Sequence, residues 1–524
     1  MLDIIGGSKL LSRMVQISGT PQEDIYNICP AIPTKFTIYN AYSGQMEMGT
    51  HGYPILNGGL FPRLCNIIGE SATGKTTIMV GLATSAVDYI RSKFGEGYSE
   101  LIYLDVEKNL NKNRFCNISH WSTSDYQLRC SYSDADMSLV ELANLIIKIS
   151  DIKTKYKKDY LLPSGIRDID GREVTFLAPT YICVDSVAAI NPNGVEQLVE
   201  HDKAGEIKDL SNLGNNMEAA QDAKAWTIFV RKIKPFLTKA NIGLYCINHK
   251  TKEMKVDMFA KETRYLPFLG MGEKIKGGKE FVFQSYNIFD LQSGEKFDER
   301  NPVYGPNVVG FSTRASFVKN KTNQEGAKFP MVFDLNRGYL PELSDFEYLY
   351  QKKFGFDGSI RISMDILPEV SFTRRTLLET IEEYPQLARA IQFTAKYHVS
   401  QKMIYNGEPL SLKDMGTNIP LEQRLAILYG FTRPYDRQVL DDPYKNFAQL
   451  AVENLHYYQF GNKIYDHTND LVTNADVSQA GEGYTIISTQ GVTPYDADKG
   501  LAKVEDGHYS FGINTSDLKN NKEK

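Results

Sequence analysis

Two glycines five residues apart, followed by a lysine and a threonine, form the stretch of this chain best suited to chemistry. The stretch reads Gly69-Glu70-Ser71-Ala72-Thr73-Gly74-Lys75-Thr76-Thr77 and fits the pattern G-x-x-x-x-G-K-[ST] from Gly69 to Thr76. In this pattern the glycines let backbone N–H groups turn inward around phosphate oxygens, the lysine neutralises phosphate charge, and the threonine hydroxyl holds Mg²⁺. A glycine-rich turn without a ligand is the alternative, but an apolar run precedes the stretch and a helical run follows it. The stretch therefore predicts a binding site for a nucleoside triphosphate and Mg²⁺.

Three further polar residues end apolar runs that we expect to be strands. Asp185 ends "YICVD", a position from which a carboxylate reaches Mg²⁺ through water. Glu107 ends "YLDVE", where a carboxylate can orient or deprotonate an attacking water. His249, with Asn248 before it, ends the fourth run and can sense a terminal phosphate and pass its presence to the next loop. Asp185 alone is also compatible with a helix N-cap, and Glu107 alone with a solvated strand end, but the carboxyl ends of parallel strands face one ligand crevice.

The elements that must position these residues alternate between strands and helices. Periodicity predicts strands at 63–69, 100–107, 180–190 and 242–248, helices at 75–94, 138–152 and 216–240, and further strands at 281–291, 308–318 and 329–335. Pro235 is expected to kink or end the third helix, and Asp170-Gly171 to form the turn of a hairpin at 166–176. This alternation predicts right-handed βαβ units and an α/β fold with a mostly parallel sheet.

Length and composition are those of an ordinary globular protein with more than one domain. The chain has 524 residues, of which 42% are hydrophobic and 23% charged, so we expect about two to four domains. No run approaches the ~20 apolar residues of a transmembrane helix, and the N-terminus lacks a signal-peptide pattern. The six cysteines show no CxxC spacing, which predicts a reducing cytoplasm and no zinc site.

Charge is unevenly distributed along the chain. The net charge is −5, and residues 440–524 hold thirteen Asp and Glu against seven Lys and no Arg. The remainder is close to neutral, which does not exclude a nucleic-acid partner because a local basic stripe is sufficient. Residues 250–280 hold eight Lys and Arg against five acidic residues, with Phe259, Tyr265 and Phe268 among them. Cations beside aromatic rings suit a single strand of nucleic acid, and a solvated loop is the alternative.

Taken in their order along the chain, the motifs resemble those of the RecA-type strand-exchange recombinases, and most closely the phage UvsX-like branch. The ordered set is "GESATGKTT", "YLDVE", "YICVDSVAAI", "CINHK", "GGKEFVFQSYNIFDL" and "FVKNKTNQEG", with "IPTKFTIYNAYSG" before it. The resemblance implies a RecA-like P-loop ATPase core with a mostly parallel central sheet, a short N-terminal segment and a mainly helical C-terminal domain. The implied domains are an N-terminal oligomerisation segment at 1–50, the ATPase core at 51–340, the helical domain at 341–480 and an acidic, loosely ordered tail at 481–524.

The resemblance also implies roles for single residues within one protomer. Lys75 and Thr76 would serve phosphate and Mg²⁺. Glu107 would be the catalytic glutamate and Asp185 the Walker B aspartate, which helps to hold Mg²⁺. His249 would take the γ-phosphate sensor position that many relatives fill with Gln.

Two lysines and two loops extend the implied site beyond one protomer. Lys319 and Lys321, in "FVKNKT", match the lysines that reach the ATP of a neighbouring subunit, with an exposed strand end as the alternative. The match implies an active site shared between copies, so that hydrolysis requires a filament or ring. The loops that would face DNA are residues 191–215 and 250–278. The candidate DNA contacts are Lys250, Lys252, Lys255, Lys261, Arg264, Lys274, Lys276 and Lys279.

The function implied by the resemblance is that of an ATP- and Mg²⁺-dependent recombinase, which forms a filament on single-stranded DNA and pairs it with homologous double-stranded DNA. Its partners would be both forms of DNA and further copies of itself, without a membrane, in the cytoplasm of a phage-infected bacterial cell. A hexameric DNA helicase and a mediator that binds ATP but hardly hydrolyses it are the alternatives. No arginine-finger strand stands out to favour the helicase, and the presence of both Glu107 and Asp185 argues against the mediator.

Overall fold

The computed structural model describes residues 30–48, 54–167, 173–192, 215–252, 264–405, 409, 411–418 and 424, with short strands at 431–432, 485–486, 502–505 and 508–511. Across these residues, no helix combines the length and the apolar content needed to cross a membrane. Most of the predicted N-terminal segment, nearly all of the first predicted DNA loop, and Lys255 and Lys261 of the second lie outside the described residues.

The helices and strands have the following bounds. The helices are α1 (Thr37–Ser43), α2 (Lys75–Phe94), α3 (Lys112–Ser119), α4 (Thr123–Arg129), α5 (Leu139–Lys155), α6 (Lys157–Tyr160), α7 (Asn215–Lys239), α8 (Gly278–Gln284), α9 (Pro341–Lys352), α10 (Leu377–Glu383), α11 (Gln386–Tyr405) and α12 (Lys413–Asn418). The first twelve strands in chain order are β1 (Gln45–Met48), β2 (Pro54–Asn57), β3 (Leu64–Gly69), β4 (Glu100–Asp105), β5 (Cys130–Ser133), β6 (Leu161–Arg167), β7 (Glu173–Leu177), β8 (Thr180–Asp185), β9 (Ile242–Lys252), β10 (Glu273–Ile275), β11 (Asn287–Phe297) and β12 (Gly310–Asn320). The later strands are β13 (Lys328–Asp334), β14 (Gly338–Tyr339), β15 (Phe356–Asp357), β16 (Ile362–Met364), β17 (Leu367–Phe372), β18 (Phe431–Thr432), β19 (Thr485–Ile486), β20 (Ala502–Glu505) and β21 (His508–Phe511).

The chain divides into two compact units. Among the described residues, the first unit takes in 30–31, 60–293 and 313–328, and the second takes in 32–59, 294–312 and the residues from 329 onward. Both units are therefore built from separate stretches of the chain. The predicted domain boundaries at residues 50, 340 and 480 stay predictions.

The first unit is built on one sheet, whose strand order is β12-β11-β3-β9-β8-β4-β5. From β11 to β5 in that order, each strand runs parallel to the next. Strands β3 and β8 are buried along their whole length, which is the pattern of parallel strands covered on both faces. The predicted α/β fold with a mostly parallel sheet is confirmed.

One apolar core joins the sheet of the first unit to helices α5 and α7. It contains Leu142 and Ile146 of α5, Ile182 of β8, and Trp226 of α7. Burial of each such side chain stabilises the fold by ~1.5–3 kcal/mol. The rigid sheet that results fixes the positions of the residues at its edge.

Strand register brings several of the predicted site residues to that edge. Gly69, the last residue of β3, pairs with His249 of β9 and with Leu291 of β11. Asp105, the last residue of β4, pairs with Asp185, the last residue of β8. The carboxyl ends of β3, β8 and β4 therefore lie at the same edge as His249 of β9, where the phosphate loop begins.

Some predicted elements differ from the structure. The strand predicted at 281–291 is wrong in its first part, which belongs to α8. Gly277, with φ of +94°, precedes this helix, and a short apolar run does not by itself distinguish a helix from a strand. Of the two outcomes predicted for Pro235, an end of the helix is wrong because α7 continues to Lys239, and a kink stays a prediction. The two strands of the predicted hairpin are confirmed, because β6 and β7 pair antiparallel, and the predicted turn at Asp170-Gly171 lies outside the described residues.

The second unit combines helices with short antiparallel sheets. Strands β1 and β2 form a hairpin, and β15, β16 and β17 form a three-stranded sheet that the sequence analysis does not predict. Tyr348 of α9 and His398 of α11 are hydrogen-bonded, with the hydroxyl 2.9 Å from Nδ1. Burial lowers the pKa of His398 to about 4, so the imidazole is neutral near pH 7.

Candidate functional site

The loop between β3 and α2 has a backbone that requires glycine. A Cβ atom added to Gly69 would come within 2.8 Å of both Leu291 O and Thr73 Oγ1. Gly74, which precedes α2, has φ of +83°, a value that glycine adopts without strain. Thr73 Oγ1 donates a hydrogen bond of 3.0 Å to Glu70 O and holds the loop closed. The loop leads directly into α2, and the N-terminal end of such a long helix is a favourable place for an anion.

Lys75 is the first residue of α2, and its side chain is buried. Its Nζ donates a hydrogen bond of 2.5 Å to Glu70 O. Burial lowers the pKa of Lys75, and the carboxylates of Asp185, Glu107 and Glu70 act in the opposite direction. An ammonium group that has lost much of its water beside this loop is suited to binding a phosphate, because an anion offsets the cost of burying the charge.

Thr76 and Asp185 are joined directly. Thr76 Oγ1 donates to Asp185 Oδ2 at 2.7 Å, and Tyr103 OH donates to the same oxygen at 3.0 Å. Burial raises the pKa of Asp185, and the hydrogen bonds from Thr76 and Tyr103 lower it. A hydroxyl and a carboxylate are hard oxygen ligands of the kind that Mg²⁺ prefers. The residues present therefore fit a Mg²⁺ ion beside the phosphate loop.

Two carboxylates near the end of β4 have different surroundings. Asp105 is buried, and its oxygens accept hydrogen bonds from the backbone N–H groups of Asn109, at 3.2 Å, and Leu110, at 2.8 Å. Glu107 lies in the turn that follows β4, and 26% of its side chain is exposed. Its Oε2 accepts from Asn109 Nδ2 at 3.1 Å, and its Oε1 accepts from Ser186 Oγ. Asp105 therefore fixes the turn, and Glu107 is the carboxylate that a ligand can reach.

His249 and Asn248, at neighbouring positions of β9, make different contacts. His249 Nε2 lies 3.3 Å from Glu107 Oε1. Asn248 is buried, its Nδ2 donates to Lys276 O at 2.8 Å, and its Oδ1 accepts from Lys276 N at 3.3 Å. The histidine therefore contacts the candidate catalytic carboxylate, while the asparagine holds the backbone that returns from the second predicted DNA loop.

The ends of that second loop form a two-stranded ribbon. Strand β9 continues to Lys252, and β10 pairs with it antiparallel, with Lys274 opposite Thr251. Arg264 and Lys279 are exposed. The ammonium groups of Lys274 and Lys279 lie 5.9 and 5.4 Å from the centre of the Tyr265 ring. Lys274 of the predicted loop and Lys279 of α8 thus place cations next to an aromatic ring.

Two of the predicted DNA contacts have partners inside the protein. Lys250 forms an ion pair with Asp290 at 2.5 Å, and only 10% of the lysine side chain is exposed. Lys276 Nζ donates to Ala188 O at 3.4 Å. Lys250 is therefore paired with Asp290 inside the protein and does not belong to the proposed DNA surface.

Lys319 and Lys321 lie at the end of β12, at some distance in sequence from the phosphate loop. Lys319 Nζ donates to Val282 O at 2.8 Å and to Phe283 O at 2.7 Å, in the last turn of α8. Burial, together with the charge of Lys321, lowers the pKa of Lys319 to about 8. Lys321 is exposed. Neither lysine is described as contacting the phosphate loop of its own chain.

Several contacts of the site come from residues that the sequence analysis does not select. Ser186 directly follows Asp185, and Tyr103 begins "YLDVE". Both therefore lie within motifs from which only Asp185 and Glu107 are predicted as site residues. Thr313 Oγ1 donates to Thr73 O at 3.0 Å across a separation of 240 residues. No local pattern marks Thr313, because only the fold brings it to the loop.

No protein-family model matches the chain, and a search of curated proteins finds no match either.

Proposed function

We propose that this protein is a DNA-dependent ATPase with a RecA-like P-loop core, which assembles on single-stranded DNA and pairs it with a homologous duplex. One observation carries the proposal: four groups with separate chemical abilities lie at one edge of a parallel sheet. They are the phosphate loop after β3, Glu107 after β4, Asp185 at the end of β8 and His249 in β9. A ligand crevice at the carboxyl ends of parallel strands is the usual place for a nucleotide in such sheets.

In the proposed reaction, Lys75 and the loop backbone bind the phosphates of ATP. Thr76 and Asp185 would hold Mg²⁺, which supplies positive charge at the phosphate oxygens when it is bound. Glu107 would accept a proton from a water that attacks the γ-phosphorus of ATP, while the bond from that phosphorus to the β,γ-bridging oxygen breaks and ADP leaves. Ser186 and Asn109 each donate a hydrogen bond to the Glu107 carboxylate and so hold it in place.

The DNA-binding part of the proposal rests on the ribbon of β9 and β10. Lys274 of this ribbon and Lys279 of α8 lie beside Tyr265, and a single strand of DNA needs both positive charge for its phosphates and flat apolar faces for its bases. The ribbon is also connected to the nucleotide site, because Asn248 binds Lys276 and His249 lies beside Glu107. Binding of a triphosphate at His249 would therefore change the position of the ribbon.

Phosphate release and strand exchange test the proposal. We expect the purified chain to release phosphate from ATP with Mg²⁺, at a rate that single-stranded DNA increases, and to exchange strands between homologous DNAs. Lys75→Ala should abolish nucleotide binding, because it removes the buried cation at the loop. Lys148→Ala, which removes an exposed lysine of α5, is the matched control and should leave both activities unchanged.

The outcomes separate the alternatives. Unwinding of a forked duplex without strand exchange would favour a helicase. ATP binding without hydrolysis would favour a mediator. Unchanged nucleotide affinity in Lys75→Ala would contradict the site itself.

A further inference from the structure

Two tyrosines on neighbouring strands reach two different carboxylates at the edge of the sheet. Tyr103 of β4 and Tyr132 of β5 are register partners, and their rings are parallel, with centres 6.2 Å apart. Tyr103 OH donates to Asp185 Oδ2 at 3.0 Å, and Tyr132 OH donates to Asp105 Oδ2 at 2.8 Å. The Tyr103 hydroxyl thus binds the carboxylate proposed to hold a metal, and the Tyr132 hydroxyl binds the carboxylate that fixes the turn after β4.

Tyr103 is held more firmly than its neighbour. Its side chain is fully buried, whereas 36% of Tyr132 is exposed. The ring of Phe115 packs edge-on against Tyr103, with centres 5.7 Å apart.

We propose that Tyr103 is a positioning residue for the metal site, because its hydroxyl fixes the orientation of the Asp185 carboxylate. This inference rests on the proposed function, in which Asp185 helps to hold Mg²⁺. Thr76 and Tyr103 donate to the same oxygen of Asp185, Oδ2. They approach it from α2 and from β4, so the carboxylate is fixed between two elements, and its Oδ1 is the oxygen to which neither donor is directed. A ligand carboxylate fixed in this way loses little freedom when a metal binds.

Tyr103→Phe tests the proposal, because it removes one hydroxyl and keeps the buried ring. The probe is Mn²⁺, whose binding to the protein saturated with a slowly hydrolysed ATP analogue is followed by electron paramagnetic resonance. We expect Tyr103→Phe to weaken Mn²⁺ binding by about tenfold, at the lower end of the effect of removing a hydrogen bond to a metal ligand, because Thr76 still holds Asp185. Hydrolysis by this variant should return to the wild-type maximum when Mg²⁺ is raised, which a merely misfolded site would not do.

Tyr132→Phe is the matched control, because it removes the equivalent hydroxyl from the stacked partner. Its Mn²⁺ affinity should stay within about twofold of the wild type. Equal affinity in Tyr103→Phe and wild type, or an equal loss in Tyr132→Phe, would overturn the inference while leaving the proposed function intact. Wild-type protein that binds no Mn²⁺ with the ATP analogue would instead overturn the proposed function.

Discussion

Glu107 and Asp105 lie two residues apart, and their surroundings give them different roles. Asp105 is buried and receives hydrogen bonds from two backbone N–H groups and from Tyr132. Glu107 is partly exposed and is oriented by Ser186 and Asn109. Only Glu107 combines fixed orientation with access for water, which is what a general base requires.

Glu107→Gln tests this assignment. The amide keeps the size of the side chain and can still accept the hydrogen bond from Ser186, but it cannot take a proton from water. We expect ATP turnover to fall by about 10²- to 10⁴-fold, while the affinity for a fluorescent ATP analogue stays within a few-fold of wild type. Steady-state phosphate release and nucleotide titration measure the two quantities.

Glu96→Gln provides the comparison for the loss of one carboxylate elsewhere in the first unit. Glu96 is largely exposed, forms ion pairs with Arg91 and Arg129 and follows the C-terminal end of α2, away from the phosphate loop, so turnover should not change. Rapid hydrolysis by Glu107→Gln would assign the proton transfer to another group.

Residues of the site could be predicted from the sequence where they belong to a local motif. Lys75 and Thr76 follow from spacing alone, and Asp185 follows from its place after an apolar run. Tyr103 and Thr313 could not be selected in this way. Their hydrogen-bond partners, Asp185 and Thr73, lie 82 and 240 residues away, so these contacts depend on strand register and on the order of the strands in the sheet.

At the scale of elements, strand β9 connects the two parts of the proposed function. Within the sheet it places His249 beside Glu107, and beyond the sheet it pairs with β10 to form the basic ribbon. Asn248 connects the sheet to the ribbon, because both polar atoms of its side-chain amide form hydrogen bonds with the backbone of Lys276. A shift of His249 would therefore move the ribbon through one buried side chain.

Asn248→Ala should uncouple DNA binding from nucleotide binding. The change leaves the N–H and C=O groups of Lys276 without the amide that holds them. We expect the ATP analogue to strengthen single-stranded DNA binding in the wild type by a factor in the usual range for coupled sites, about 5- to 150-fold. In Asn248→Ala this factor should fall towards one. Fluorescence anisotropy of a labelled oligonucleotide, with and without the analogue, measures the factor.

Thr251→Val is the control within the same ribbon. Thr251 Oγ1 donates to Lys274 O at 3.3 Å, so the variant loses a ribbon hydrogen bond that does not reach the residues beside His249. Its nucleotide-dependent gain in DNA affinity should equal that of the wild type. Full coupling in Asn248→Ala would remove this asparagine from the connection.

Elements could be predicted well where the sequence alternates cleanly between strand and helix. The predicted helix at 75–94 has those bounds in the structure, and the strand at 242–248 is extended to Lys252. The strand at 281–291 could not be separated into α8 and β11 from its apolar run, since a backbone with positive φ at Gly277 decides where the helix begins. The extension of β9 depends on its pairing with β10, which lies beyond residues 253–263 of the chain.

At the scale of the whole molecule, Lys319 has two alternative binding partners: the end of α8 in its own chain and, in the proposed assembly, the triphosphate of another copy. In the single chain its ammonium binds the last turn of α8, and Lys321 beside it is exposed. The proposed shared site requires these cations to reach the triphosphate of another copy. Lys319 must then release the carbonyl groups of Val282 and Phe283, so assembly exchanges an internal contact for an intermolecular one.

Mixing two inactive variants tests whether copies share a site. Lys75→Ala lacks the nucleotide-binding cation but keeps Lys319 and Lys321, whereas Lys319→Ala combined with Lys321→Ala binds nucleotide but lacks the cations that a neighbour would receive. Each variant alone should hydrolyse ATP at a small fraction of the wild-type rate with single-stranded DNA. A mixture should regain hydrolysis, because some junctions then join an intact phosphate loop to an intact pair of lysines. Phosphate release from the mixture, together with sedimentation to confirm co-assembly, gives the answer, and wild-type hydrolysis by the lysine double variant as a monomer would show that each copy acts alone.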